Sequence, residues 1–228
     1  MNELVVFDCD GTLVDSQHVI LAAMHAAFDA LGLPRCADQD VRRIVGLSLP
    51  EALAALLGEE LGADQALLDR LVRAYRQAFV DLRSRDGHQP EPLYPGILES
   101  LRSLSDKGHL LAVATGKSMR GLRLILQHHG IEHLFISLQT ADHHPSKPHP
   151  AMLQAAMSEA GAAPERTVLV GDTSYDMRMA RNAGTFGLGV DWGYHGRDEL
   201  KAAGADAIAM KGADIPSFVS TFLRDIGP

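Results

Sequence analysis

Phe7-Asp8-Cys9-Asp10-Gly11-Thr12-Leu13-Val14-Asp15 decides how this chain is read. The apolar run Leu4-Val5-Val6-Phe7 has the composition of a buried parallel strand, and it ends in two carboxylates held two residues apart. In open α/β sheets ligands gather at the carboxyl ends of such strands, so Asp8 stands where chemistry is expected. Residues two apart in extended backbone project to the same side, which lets Asp8 and Asp10 address one substrate. Gly11 then gives the backbone the freedom to turn sharply. One carboxylate can attack, with a metal assisting, while the other moves a proton. The competing reading is an ordinary Asp-Gly turn closing a strand.

Working outward from this stretch, Ile20, Met24, Ala27, Phe28 and Leu31 recur at helical spacing. Ser16 is a candidate N-cap, and Gly32 with Pro34 stops the helix. Ser48-Leu49-Pro50-Glu51 has the pattern of a capping box ahead of an Ala/Leu-rich helix that Gly58 closes. A third helix is expected over 64–85, and the polar, proline-rich piece 86–92 reads as a linker. From residue 93 helices alternate with short β-type runs at 109–114, 134–138, 167–170, 185–190 and 205–209, the pattern of a parallel sheet. The chain is therefore expected to be α/β, a doubly wound and mostly parallel sheet. Its core is formed by 1–14 and 93–228, interrupted directly after the first strand by an all-helical insertion over 15–92.

Composition bounds the function. The 228 residues are 46% hydrophobic, enough for a substantial core. A net charge of −8 argues against broad nucleic-acid binding, which needs many Lys and Arg facing phosphates. Two cysteines, Cys9 and Cys36, form no disulfide framework and suit a reducing compartment. No apolar stretch approaches the roughly 20 residues of a membrane span, and the start lacks a basic signal region. A cytoplasmic protein is expected, a monomer or small homo-oligomer with no membrane and no nucleic-acid partner.

Other strand ends carry candidate chemistry. Ala114-Thr115-Gly116-Lys117-Ser118 places a hydroxyl and backbone N–H groups at a strand-to-helix turn, where an anion can rest. Gly116-Lys117-Ser118 also matches the end of a P-loop, but that pattern needs Gly where Leu111 stands. Lys117 is read as a solvated side chain and Ser118 as the cap of a helix over 119–130. Lys147, in Ser146-Lys147-Pro148-His149-Pro150, lies in a loop stiffened by two prolines, so its ammonium can be aimed. Asp172 and Asp176 follow the run Thr167 to Val170, four residues apart, one just after the strand and one on the first turn of a helix continuing over 177–184, and can face one spot; the competing reading of Asp176 is an acid favoured by a helix N-terminus.

These motifs together resemble the haloacid dehalogenase superfamily. Its first motif is DxDGT followed by apolar sequence and DS, met here from Asp8 through Ser16. The second acid, at Asp10, is the mark of phosphatases and phosphomutases within it. Thr115 matches the second motif, Lys147 the third, and Asp172 with Asp176 the fourth. The insertion over 15–92 falls where that family carries a helical cap of the C1 type. The resemblance is to the subfamily of phosphoglycolate phosphatase and β-phosphoglucomutase, and it implies that Asp8 attacks phosphorus while Asp10 protonates the leaving oxygen and then activates water. It further implies that Thr115, Gly116 and Lys147 hold the phosphoryl oxygens. The metal is implied to be held by the side chains of Asp8 and Asp172 and the backbone carbonyl of Asp10, with Asp176 a ligand or a support.

Four carboxylates brought together would repel one another, and a hard dication that keeps its waters, Mg²⁺, is the natural remedy. The expected activity is Mg²⁺-dependent hydrolysis of a small phosphorylated metabolite through an aspartyl-phosphate. A phosphomutase is the rival enzyme, and a phosphate-sensing scaffold the rival without catalysis. A receiver domain is disfavoured, because its phospho-acceptor follows the third strand. Arg43, in Arg42-Arg43-Ile44-Val45-Gly46, is a candidate to bind a substrate anion, against a solvated helix face. His143, His144 and His149 match no closed zinc site, and His128 with His129 suit a helix end. Cys9 lacks the Arg that a thiol phosphatase needs six residues on, where Asp15 stands, and reads as packing.

Overall fold

The computed structural model describes residues 2–84 and 90–224. Six strands form one parallel sheet in the order β3-β2-β1-β4-β5-β6, with β1 Asn2–Phe7, β2 Leu110–Thr115, β3 Phe135–Thr140, β4 Ala162–Gly171, β5 Phe186–Val190 and β6 Ala207–Ala209. That order reverses direction between β1 and β4, and the crevice at such a switch point is where ligands bind in open α/β sheets. Parallel pairing of β1 with both β2 and β4 makes β1 a central strand, which is why its residues are apolar on both faces.

Alternation along β1 divides the core. Val5 and Phe7 point to the face covered by α5 (Ile97–Asp106), α6 (Met119–His128) and α10 (Ile215–Arg224), packing with Leu101, Leu104, Leu122 and Val219. Leu4 and Val6 point to the other face, against Met152, Leu153 and Ala156 of α7 (Ala151–Ala160) and Met179 of α8 (Ser174–Ala183). A short α9 (Arg197–Ala202) adds Leu200 to a small cluster with Met177.

Between β1 and α5 the chain forms α1 (Gln17–Ala30), α2 (Asp38–Ile44), α3 (Leu49–Gly62) and α4 (Gln65–Arg83). These helices have a hydrophobic cluster of their own, built on Met24, Phe28, Val41, Leu53 and Leu71. The segments entering and leaving them run antiparallel: Asp15 N–H donates to the Pro92 carbonyl at 2.9 Å and Tyr94 N–H to that of Leu13 at 3.0 Å. Among the described residues no helix is long and apolar enough to cross a membrane.

Several local expectations shift. The helix expected over 64–85 is Gln65–Arg83, its N-terminus capped by the Asp64 carboxylate, which accepts from Leu67 N–H. The expected linker 86–92 lies partly outside the described residues. Gly58 does not end its helix but kinks it at φ +74°, and the chain makes one more turn to Gly62. The Ser48-Glu51 capping box does not form; the Ser48 side chain caps nothing, and its backbone N–H donates to Ser146 Oγ at 2.8 Å. Ser16 likewise stands at a helix start without capping it, its hydroxyl lying 3.2 Å from that of Tyr194. A capping box does form at Thr173 and Asp176, so α8 begins at Ser174 with Asp176 in its first turn, as expected. β4 starts earlier than 167, because Ala162 pairs with Asn2 across a bulge that no β-type run announces.

Candidate active site

Strand pairing gathers the candidate residues at one end of the sheet. Phe7 pairs with Val113 on one side and Val170 on the other, so Asp8 emerges between the loops that carry Thr115 and Asp172. Asp8 N–H extends the ladder by donating to the Val170 carbonyl at 2.9 Å, which fixes the residue at the strand end. The turn beyond it needs glycine twice over. Gly11 has φ +86°, and a Cβ there would lie 2.2 Å from Asp172 Oδ2 and 2.5 Å from the Tyr194 ring.

Asp172 is aimed by neighbours the sequence reading gave no role. Thr12 Oγ1 donates to its Oδ1 at 2.8 Å, and Tyr194 N–H to its Oδ2 at 2.8 Å. Trp192 Nε1 in turn donates to the Thr12 carbonyl at 3.2 Å. Gly193 is required between these residues, since a Cβ there would stand 2.1 Å from that of Asp172. The signal was present in Asp-Gly-Thr and Trp-Gly-Tyr-His, but nothing within either segment says that they meet.

Lys147 is buried between two acids. Its Nζ lies 2.8 Å from Asp8 Oδ1 and 2.7 Å from Asp176 Oδ1, and its side chain has no exposure. Asp176 spends its second oxygen on Thr173, accepting from the backbone N–H at 3.1 Å and the hydroxyl at 2.6 Å. Asp8 Oδ2 is buried with no hydrogen-bond donor. Burial pushes the Asp8 carboxyl up to about 6, Lys147 opposing and Asp176 adding to the rise. Asp172 is raised well above the carboxylate range by burial and by the charges of Asp8 and Asp176. The Lys147 ammonium, which burial alone would weaken, is instead held above its ordinary value by Asp176 and Asp8.

This donor set fits a hard cation. Asp8, Asp172 and Asp176 each offer an oxygen within 4.8 Å of the others, the one such grouping among the described residues, and all three are buried. One ammonium against three carboxylates leaves an excess of negative charge in a low-dielectric site, and the unpartnered Asp8 Oδ2 faces no donor. No histidine joins the group. His144 Nε2 bonds Gln139 Oε1 at 2.8 Å, and His149 Nδ1 accepts from Ala151 N–H at 3.2 Å. At the end of α6, His129 Nε2 bonds the Glu91 carbonyl at 2.8 Å. Cys9 is fully buried, which drives its thiol pKa well above the ordinary value and leaves it a packing residue.

Lys117 corrects the sequence reading. It is not solvated: its side chain is 8% exposed, and Nζ donates to both Asp10 oxygens at 2.7 and 2.9 Å. The loops after β1 and β2 are neighbours only because those strands pair, a fact absent from the local sequence. Burial presses the Asp10 carboxyl up, but the Lys117 charge and hydrogen bonds, helped by Ser16, outweigh it and leave the pKa below the usual value. Ser118 does cap α6, accepting from Gly121 N–H at 3.2 Å.

The segment after α2 covers the site. A Cβ on Gly116 would lie 2.4 Å from the Leu47 carbonyl oxygen, so only glycine lets that backbone approach the turn after Thr115. The Arg43 carbonyl accepts from Tyr175 Oη at 3.1 Å and lies 3.3 Å from His195 Nε2, while the residue is exposed and borders a cleft with Phe28, Cys36 and Leu57. Asp8, Thr115 and Lys147 are each 1% exposed, and Asp172 and Asp176 are fully enclosed.

Comparison with known proteins assigns this arrangement. A family model described as haloacid dehalogenase-like hydrolase matches residues 5–190. A probable phosphatase, IndB, from Dickeya dadantii is 37% identical over 98% of this chain and 96% of its own. A phosphoglycolate phosphatase from Vibrio vulnificus is 32% identical over 91% of each chain. Among solved structures, a mutant CbbY from Rhodobacter sphaeroides in complex with xylulose-(1,5)bisphosphate superposes with a TM-score of 0.79 at 27% identity, covering 94% of this chain and 96% of that one. With acids closing β1 and β4 at the switch point of a 3-2-1-4-5-6 sheet and a match of this extent, the chain belongs to the haloacid dehalogenase-like hydrolases and is a phosphatase of the phosphoglycolate phosphatase-like type.

Proposed function

We propose that this phosphatase hydrolyses a small phosphorylated metabolite through a phosphoryl group carried on Asp8. The observation that carries the reading is the Asp8 carboxylate itself, buried at the switch point with one oxygen unpartnered and Lys147 2.8 Å from the other. An Asp8 oxygen attacks phosphorus in line, and Asp10 gives a proton to the departing oxygen. Asp10 then takes a proton from the water that cleaves the aspartyl-phosphate. The Thr115 hydroxyl, Gly116 N–H and the Lys147 ammonium hold the phosphoryl oxygens, and Asp176 keeps Lys147 in place.

Asp8 and Asp172, with the Asp10 carbonyl, would hold Mg²⁺. Asp176, whose Oδ1 lies 2.7 Å from Lys147 Nζ, keeps that ammonium beside the ion's site. The ion, when bound, supplies charge neutralisation for the incoming phosphate. Release to water rather than transfer to a sugar is supported by the phosphatase names of the relatives. Phosphoglycolate is the first substrate to test, because the Vibrio relative is named for it.

Residues 15–92 act as a lid on this reading, and 1–14 with 93–228 as the core. The antiparallel pair at Asp15 and Pro92 is the natural hinge, and the enclosure of Asp8 requires the helices to swing away before substrate enters. The free cysteines suit the cytoplasm, and the net charge of −8 suits small substrates rather than nucleic acid.

The test is turnover of p-nitrophenyl phosphate and phosphoglycolate by the wild type and by Asp8→Asn, each with Mg²⁺ and with chelator. Turnover and a trapped phosphoenzyme are expected only for the wild type with Mg²⁺. A phosphoenzyme formed at the normal rate by Asp8→Asn, or undiminished turnover in chelator, overturns the reading.

A further inference from the structure

Lys117 is a buried ammonium to which the mechanism above gives no task. It leaves the phosphate-holding turn two residues after Thr115 and makes a two-pronged contact with Asp10, at 2.7 and 2.9 Å. The outer torsion of an aspartate is broad and roughly two-fold, so an ammonium bound to both oxygens sets where the carboxylate points. Direction matters here, because proton transfer needs the acid within about 2.6–3.2 Å of the oxygen it serves. The ammonium is itself seated by the helical block. The Phe79 ring of α4 lies with its centroid 5.6 Å from Lys117 Nζ, within the range of a cation–π contact.

Phe79 meets a second cation, Arg83. The Arg83 guanidinium lies 4.8 Å from the same ring centroid and donates to both Glu91 oxygens at 2.7 Å. Glu91 is buried where the chain returns to the core, and its carbonyl meets His129 at 2.8 Å. A line of contacts therefore runs from the hinge through Phe79 and Lys117 to Asp10.

We propose that Lys117 is a positioning residue for Asp10, seated by Phe79, so that the proton-transferring carboxylate is aligned only while α4 is docked. This rests on the reading of Asp10 as the proton-transferring group and of the helices as a lid.

The experiment compares two phosphomonoesters that carry no second anionic group. Release of 2,4-dinitrophenolate needs no proton, whereas release of ethanol from ethyl phosphate does. Lys117→Met should lower kcat for ethyl phosphate by about 10²-fold, the scale of general acid–base assistance, with a several-fold smaller loss in the initial burst of dinitrophenolate. Phe79→Leu should show the same selectivity with a smaller loss, and Lys117→Met/Phe79→Leu should be no slower than Lys117→Met. Lys117→Arg, which keeps the charge, should retain more ethyl phosphate turnover than Lys117→Met.

Equal losses on both substrates, a change confined to KM, or multiplicative losses in the double variant would each overturn the proposal and leave the Asp8 chemistry standing. A wild type with no Asp8-dependent turnover of either substrate would remove the functional reading and this proposal together.

Discussion

Replacing Asp8 by Asn should stabilise the metal-free protein while abolishing its turnover. Burial raises the Asp8 carboxyl from 3.8 to about 6, a rise that already includes the opposing pull of Lys147. Each pKa unit is about 1.4 kcal/mol, so holding this group ionised in the folded chain costs about 3 kcal/mol at pH 7.5. The sign follows from the direction of the shift. With the folded pKa above the unfolded one, the group's favourable contribution is whole below about pH 4 and is lost as pH rises through 6. An amide mimics the protonated acid and is indifferent to pH, so the variant escapes that decline. For a chain of this length about 3 kcal/mol corresponds to roughly 6–12 °C in Tm. Thermal melts of both proteins in chelator, from pH 4 to 7.5, should show the gap opening in favour of Asp8→Asn as pH rises. Added Mg²⁺ should narrow it, because the ion compensates the charge the variant lacks. Equal or lower stability of Asp8→Asn at pH 7.5, or a gap that does not shrink towards pH 4, would refute the claim that Asp8 is a buried charge in need of a cation.

Two further expectations follow from the neighbours of the acids. Thr12→Val removes the hydroxyl that holds Asp172 Oδ1 at 2.8 Å, and calorimetric titration should show Mg²⁺ affinity about 10- to 100-fold weaker with the fold intact; unchanged affinity would mean that Asp172 does not depend on this bond. Arg83→Met leaves Glu91, whose side chain is 3% exposed, without its partner, and urea unfolding should show a loss of about 3–5 kcal/mol. Adding Glu91→Leu should recover most of that loss, and a double variant no more stable than the single one would argue against an unpaired buried charge as its cause.

What the sequence determined is what a few consecutive residues can specify. A strand ending at Asp8, the turn at Gly11 and the cap of α6 at Ser118 follow from apolar run length, freedom at positive φ and a hydroxyl placed before a helix. The same local chemistry failed at Ser48 and Ser16, where side chain or backbone turned to Ser146 and Tyr194, 98 and 178 residues away. The short α2 offered too few turns for a periodic signal, and the bulged start of β4 is ordered by its partner rather than by its own residues. Lys117 looked like any lysine at a helix start until pairing of β1 with β2 brought it to Asp10, 107 residues distant. Thr12 and Tyr194 came to Asp172 by the same kind of long closure. Motif spacing could therefore nominate Asp8, Asp10, Thr115, Lys147, Asp172 and Asp176, since strand ends are local features and the sheet order gathers them. Which charges are paired, buried or left in excess depends on distance and dielectric, and only the packed tertiary structure sets those.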